Sequence, residues 1–254
     1  MIKKGTLAFP AFNCLIGFDA EWTKNYKIKN GNVPFCFSIV AVRREDLSFD
    51  RLENGDVPFH YIQFYCKSKE EATDLVAFSN SYAESIIASL RTCILCGHQI
   101  SSDFSVLFNY GNSNALEKLS NIEKLQRMWH MRKSGNSPCI VDTRYDVMHR
   151  FMGKSRRLVD MCNDFLLDVR QPELHNTSMT KLQNMFYTSG DYSIYERIAV
   201  MNIRHSLCAV VLCWLNDMIC NGSQTAPINI NKTVYNTLKD DFQWVASNDF
   251  LKLL

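Results

Sequence analysis

The chain has 254 residues, of which 46% are hydrophobic and 12% aromatic, enough for one large domain or two small ones and too apolar for a disordered chain. A net charge of +2 excludes a general polycation, so any polyanionic partner has to be recognised by a local concentration of charge. The ten cysteines fall mostly inside apolar runs and no apolar leader follows MIKKG, which predicts reduced, buried thiols and an intracellular setting, cytoplasmic or nuclear. The longest apolar run, LCAVVLCWL at 207–215, is far shorter than the roughly 20 residues of a membrane span, so a soluble chain with no membrane partner is expected.

In chain order, the stretch CLIGFDAEWTKN at 14–25 reads first as a buried strand. Alternation gives it an apolar face of Cys14, Ile16, Phe18, Ala20 and Trp22, and sets Asp19 and Glu21 side by side on the other face. Neighbouring carboxylates repel and are costly to bury alone, so the pair predicts either a solvated strand end or a bound cation. Strands follow at 34–42 (PFCFSIVAV) and 59–66 (FHYIQFYC), aromatic and β-branched runs between Gly, Asn and Pro breaks, and the three predict an antiparallel meander. Helix-period apolar positions at Leu75, Phe78, Tyr82, Ile86 and Leu90 lead into a fourth strand within CILCGHQ, parallel to the first because a helix makes the connection. A helix from near Asp103 to Tyr110, another within NALEKLSNIEKLQRMWHM, and a fifth strand at CIVDT come next. Everything after Arg157 reads as helical, above all from Tyr195 to Met218. The expected fold class is therefore α/β, a mixed five-stranded sheet flanked by helices with a helical C-terminal part. NGSQTAP near 221 is the best hinge, separating residues 1–220 from a helical extension over 221–254.

The second informative stretch is CGHQISSDFSVL at 96–107, in which a strand, a turn and a helix place Asp103 at the mouth of the sheet, where open α/β sheets collect ligands. A strand with Asp-x-Glu, two more strands, a helix, and a strand ending in Gly-His-Gln with Asp four residues on resembles the DEDD family of 3′→5′ exonucleases, built on the ribonuclease-H-like fold. Phe18, Asp19, Ala20 and Glu21 match the family's first motif; Gly97, His98, Gln99 and Asp103 match its second, with Gln99 in place of the usual Asn and Ser102 in place of a frequent aromatic. The resemblance covers roughly residues 12–216. It implies two divalent ions, Mg²⁺ or Mn²⁺, held by carboxylate oxygens, which supply a nucleophilic hydroxide and stabilise the departing oxygen. Asp19 would bridge the ions, Glu21 would bind the first and position water, and Asp103 would support the second. The isolated motifs are common on strand ends; their joint occurrence in this order is what carries the expectation.

The fourth position departs from the family pattern. The family expects an Asp on a late helix, preceded by a His five residues earlier or a Tyr four residues earlier. In VMNIRHSLCAVVL, His205 stands where that Asp is expected, and Val200 and Met201 stand at the two positions of the base. YTSGD at 187–191 has the Tyr-to-Asp spacing, but its Ser-Gly breaks the helix the motif needs. His205 remains open to three readings: a ligand or base completing the catalytic set, a hydrogen-bonded core histidine in an inactive site, or a zinc ligand paired with Cys208 one turn on. Asp142 in VDT reads as the end of a strand that caps a turn, and is also the one spare carboxylate that could replace a missing ligand.

Charge supports a polyanion. Residues 124–157 hold nine Lys or Arg against Asp142 and Asp146, a net +7 in a chain whose total is +2. Within it GKSRR, a Gly-Ser loop with Lys154, Arg156 and Arg157, is the stronger phosphate contact, and His98 and Gln99 lie beside the expected site. The sequence thus leads to a metal-dependent 3′→5′ exonuclease on single-stranded DNA or RNA, with Asp19, Glu21, Asp103 and His205 as its catalytic set. The rival is a nuclease fold that has lost hydrolysis and keeps nucleic-acid or protein binding. Three retained acids favour the enzyme.

Overall fold

The computed structural model describes residues 1–7, 13–25, 27–29, 31–116, 119–134, 139–148, 155–174, 177–222 and 226–254. Its centre is a six-stranded mixed sheet, formed by β1 (Ile2–Lys4), β2 (Cys14–Thr23), β3 (Val33–Arg43), β4 (His60–Tyr65), β5 (Ile94–Gly97) and β6 (Ile140–Asp142) in the order β1-β4-β3-β2-β5-β6. The expected meander is present: β2, β3 and β4 pair antiparallel, and β5 and β6 add in parallel on the far side of β2. The sheet has six strands rather than five. The additional one, β1, is three residues with two lysines, too short for any periodicity to mark, and it pairs antiparallel with β4 at the edge.

Helices close both faces. A short helix, α1 (Phe49–Asn54), joins β3 to β4, capped by the Ser48 side chain and ended by Gly55 at φ +77°, a left-handed position suited to glycine. On the face of Phe18 and Phe37 lie α2 (Ala72–Ser89) and α3 (Ile100–Ser113), with α4 (Ser120–Met131) packed behind them; Phe104 of α3 sits 5.5 Å from Phe18, ring centre to ring centre. The helix periodicity of α2 buries Leu75 and Ile86 as expected. Phe78 instead stays 45% exposed and stacks its ring on Phe64.

The C-terminal part is less uniformly helical than its composition suggests. After α5 (Leu158–Asp164), β7 (Leu167–Asp168) pairs in parallel with β8 (Ile228–Asn229), a two-residue ribbon below the reach of sequence periodicity. Between them come α6 (Met179–Ser189) and α7 (Tyr192–Cys220); α8 (Ile230–Leu238) and α9 (Asn248–Leu251) follow. Val234, Leu238, Phe242, Val245 and Phe250 from the last segment join the same hydrophobic cluster as the sheet.

The 29-residue α7 crosses β2, β3, β4 and β5 on the face opposite α2 and α3. It is long and apolar enough to cross a membrane by length and composition, yet 94% of its most apolar stretch is buried, which makes it a core helix. Its close approach depends on Gly17: a Cβ there would lie 2.1 Å from the carbonyl oxygen of Ser206. Ser38 on β3 ties down the same place, its hydroxyl donating to the Asn202 carbonyl at 3.0 Å and lying 2.7 Å from the Ser206 hydroxyl. A fully buried ion pair fixes the other side of the helix, with Arg204 Nη2 donating to Glu173 Oε2 at 2.6 Å; Arg204 Nη1 also donates to Asn231 Oδ1, and the Trp244 indole to Glu173 Oε1.

Candidate metal centre

The site forms where β2 runs out beneath the middle of α7. Strand alternation turns Leu15, Gly17, Asp19 and Glu21 towards the helix, and α7 answers with Ser206 over Gly17 and with Asn202 and His205 over the acids. A bulge between Glu21 and Trp22 interrupts the register with β3. The residue left over is Phe35 of β3, so the alternation of β2 is kept: Trp22 lines a cavity with Ser102 and Ser105 of α3, on the side of Phe18, and reaches a second cavity beside Glu21 and Lys24.

Three of the four expected residues converge. The ligating atoms of Asp19, Glu21 and His205 all lie within 4.8 Å of one another, the one such group of His, Cys, Asp and Glu among the described residues. Nδ1 of His205 is 3.5 Å from Asp19 Oδ2 and 3.4 Å from Glu21 Oε1. Asp103 is adjacent but outside this triplet. Strand β5 pairs with β2 only as far as Gly17, so the amide of Ala20 is left for Asp103, whose other oxygen, Oδ2, is buried with no partner.

The electrostatics follow from enclosure. Burial, then the Asp19, Glu21 and Asp142 charges, push the Asp103 carboxyl well above the usual range; burial and Asp19 also raise Glu21, against His205. Burial works against a charge on His205, but the two carboxylates outweigh it and raise the imidazole to about 10. Without a metal, His205 is thus the counter-charge of the site.

Two further residues shape the triplet. Asn202 Nδ2 donates to Asp19 Oδ2 at 2.6 Å and to the Asp19 carbonyl at 3.1 Å, fixing that carboxylate. Its place three residues before His205 on one helix face was a legible signal. Gln171 reaches His205 Nε2 through its side-chain nitrogen at 2.7 Å, and no sequence pattern marks it. That contact suits a neutral ring protonated at Nδ1; a charged ring donates from both nitrogens, and the amide of Gln171 then has to turn its oxygen to Nε2. When Nδ1 is given to a metal, Nε2 carries the proton and the amide of Gln171 turns to offer its oxygen, the outer bond that orients a ligating histidine.

The donors fit a hard or borderline divalent ion: two carboxylates, an imidazole nitrogen, and an orphaned acid oxygen close by. They do not assemble a zinc site with Cys208, which is buried against Cys162 and outside the triplet.

The remaining expected residues have partners within the chain. His98 uses both ring nitrogens, towards Thr143 Oγ1 and the Arg156 carbonyl at 3.0 Å each, and burial holds it down at about 4, a neutral brace. Gln99 takes a left-handed φ of +59°, its amide donating to Asp142 Oδ1 and its side chain to Ser102. Arg156 donates to the Arg144 carbonyl, and Arg157 pairs with Asp160 while remaining exposed. Lys154 lies outside the described residues. Asp142 is fully buried and accepts from Gln99, Arg144 and Trp129, so it braces the end of β6. Asp191 caps α7 after Gly190 ends α6, which removes Tyr187 and Asp191 from a common helix. Val200 and Met201, at the two positions of a general base, are fully buried.

No protein-family model matches the chain, and no curated protein matches its sequence.

Proposed function

We propose that the protein is a metal-dependent 3′→5′ exonuclease of ribonuclease-H-like architecture acting on single-stranded DNA or RNA. The observation that carries this reading is the convergence of Asp19, Glu21 and His205, from a strand and a distant helix, beside the partnerless oxygen of Asp103. Two acids and an imidazole from β2 and α7 meet here with a third acid of α3 adjacent, more negative charge than His205 alone offsets. The mutual repulsion of the acids is relieved by a cation.

Asp19, Glu21 and His205 would hold one ion, and Asp103 with Asp19 a second. Divalent ions in such a site lower the pKa of water and stabilise charge on phosphoryl oxygens. Asn202 keeps Asp19 in its ligating orientation, and Gln171 does the same for His205. Trp22 and Lys24 at the rim offer a stacking surface and a cation to the strand.

The test is degradation of 3′-labelled single-stranded DNA and RNA by the full chain with Mg²⁺ or Mn²⁺. Wild type should release mononucleotides, and Asp19→Asn should lose about a thousandfold or more in rate while melting as a folded protein. One observation favours a second reading, a binding module without hydrolysis: neither Val200 nor Met201 can take a proton from water. Binding of both nucleic acids without degradation by either ion would establish that reading instead.

A further inference from the structure

Behind the metal centre a cavity of about 570 Å³ opens between the turn at Arg170 and Pro172, the start of α7, Trp244 and the C-terminal helix. Its volume falls within the range of small-molecule sites. Three cations face it, Arg170, Arg197 and Lys252, and they differ in how they are held.

Arg197 is the fixed one. Its guanidinium lies over the Trp244 ring, 5.2 Å from the centroid, and Nη2 donates to the Glu173 carbonyl at 2.8 Å. It has no carboxylate partner among the described residues, and its Nε is buried without an acceptor. The carboxylate of Glu173, close at hand, does not neutralise it, being engaged by Arg204 and by the Trp244 indole N–H. A guanidinium has five donors; with Nε enclosed and Nη2 bonded to Glu173, its other Nη protons are left for something that enters. The other two cations are exposed and paired: Lys252 with Asp249, itself part of the cavity wall, at 3.2 Å, and Arg170 with both oxygens of Asp168 at 2.9 to 3.1 Å and with the Leu253 carbonyl at 3.3 Å. Exposed pairs of this kind contribute little, and either cation can turn to a more highly charged anion. Pro172 and the indole edge supply an apolar wall.

We infer that this cavity binds a small phosphomonoester of the nucleoside-monophosphate class, with its phosphate on Arg197 and Lys252 and its flat body against Pro172 and Trp244. The inference stands on the cavity alone and does not require hydrolysis at the metal centre.

The experiment is calorimetric titration of the full chain, in EDTA, with adenosine 5′-monophosphate, adenosine and inorganic phosphate. AMP should bind, and adenosine should bind at least about tenfold more weakly, since charge-assisted bonds to phosphate are lost. Arg197→Gln should weaken AMP by roughly tenfold or more and Lys252→Ala by about threefold, whereas Asp19→Asn should leave AMP affinity unchanged. If Arg197→Gln fails to fold, Arg170→Ala and Lys252→Ala at exposed side chains decide; unchanged affinity in both overturns the proposal. It is equally overturned by no AMP binding, by inorganic phosphate binding as tightly as AMP, or by loss of AMP binding in Asp19→Asn. Equal competition by an oligonucleotide lacking terminal phosphates would assign the cavity to a strand backbone, and so against a monoester.

Discussion

His205 brings its own positive charge to a pair of acids that otherwise need a metal, and this sets how metal and proton compete. With its pKa at about 10, the ring is protonated at neutral pH in the metal-free chain, so binding at Nδ1 must expel a proton. Calorimetry of Mn²⁺ binding at pH 7 in buffers of different ionisation enthalpy should show about one proton released or more, and affinity should rise with pH. Release of none would mean the imidazole does not ligate. The same charge affects folding in the absence of metal. The folded pKa lies above the ordinary 6.5, so the stabilisation is complete below pH 6.5 and is lost as pH rises towards 10. Melts in EDTA should therefore show wild type falling relative to His205→Asn between pH 6.5 and 10, by an amount of the order of a few kcal/mol. A parallel course for the two proteins would place the proton elsewhere.

At the scale of elements, the contact between β2 and α7 rests on a missing side chain. Gly17→Ala puts a methyl group against the backbone of Ser206, which cannot rotate away. The expected cost is about 2 to 4 kcal/mol in chemical denaturation, with weaker metal binding as Asn202 and His205 move off the acids. Gly17 illustrates what the sequence did and did not reveal. The strand around it, β3, β4 and the helices α2, α3, α4 and α7 were legible because each has enough residues for a period of two or 3.6 to emerge, and the shorter β5 and β6 because they sit in apolar runs that follow helices. The acids on β2 were legible by the same alternation, and His205 by its place on a long helix. Where an element is two or three residues long, as in β1, β7 and β8, periodicity has nothing to act on. The bulge at Phe35 was invisible because it interrupts the register of β3 without changing its composition, and Gln171 because a turn residue meets His205 only through the tertiary fold.

For the molecule as a whole, the buried pair Arg204 and Glu173 links α7 to the turn before α6 and to the C-terminal segment through Asn231 and Trp244. Arg204→Met leaves the Glu173 carboxylate buried and unpaired, and should cost about 3 to 5 kcal/mol. Adding Glu173→Leu should recover most of that loss, and thermal or urea unfolding of both variants would measure it. A double variant no better than the single would mean that Glu173 is stabilised by the Trp244 indole alone. Within one stretch of α7, Arg197 faces a cavity, Asn202 and His205 face the acids, Arg204 faces the turn and Ser206 meets the sheet. An α-helix advances 1.5 Å and turns 100° per residue. A single residue inserted between Arg197 and Ser206 would therefore leave one group of these contacts facing the wrong direction. The length of this segment is fixed by every surface it serves, and an added residue is absorbed only in the turns on either side of it.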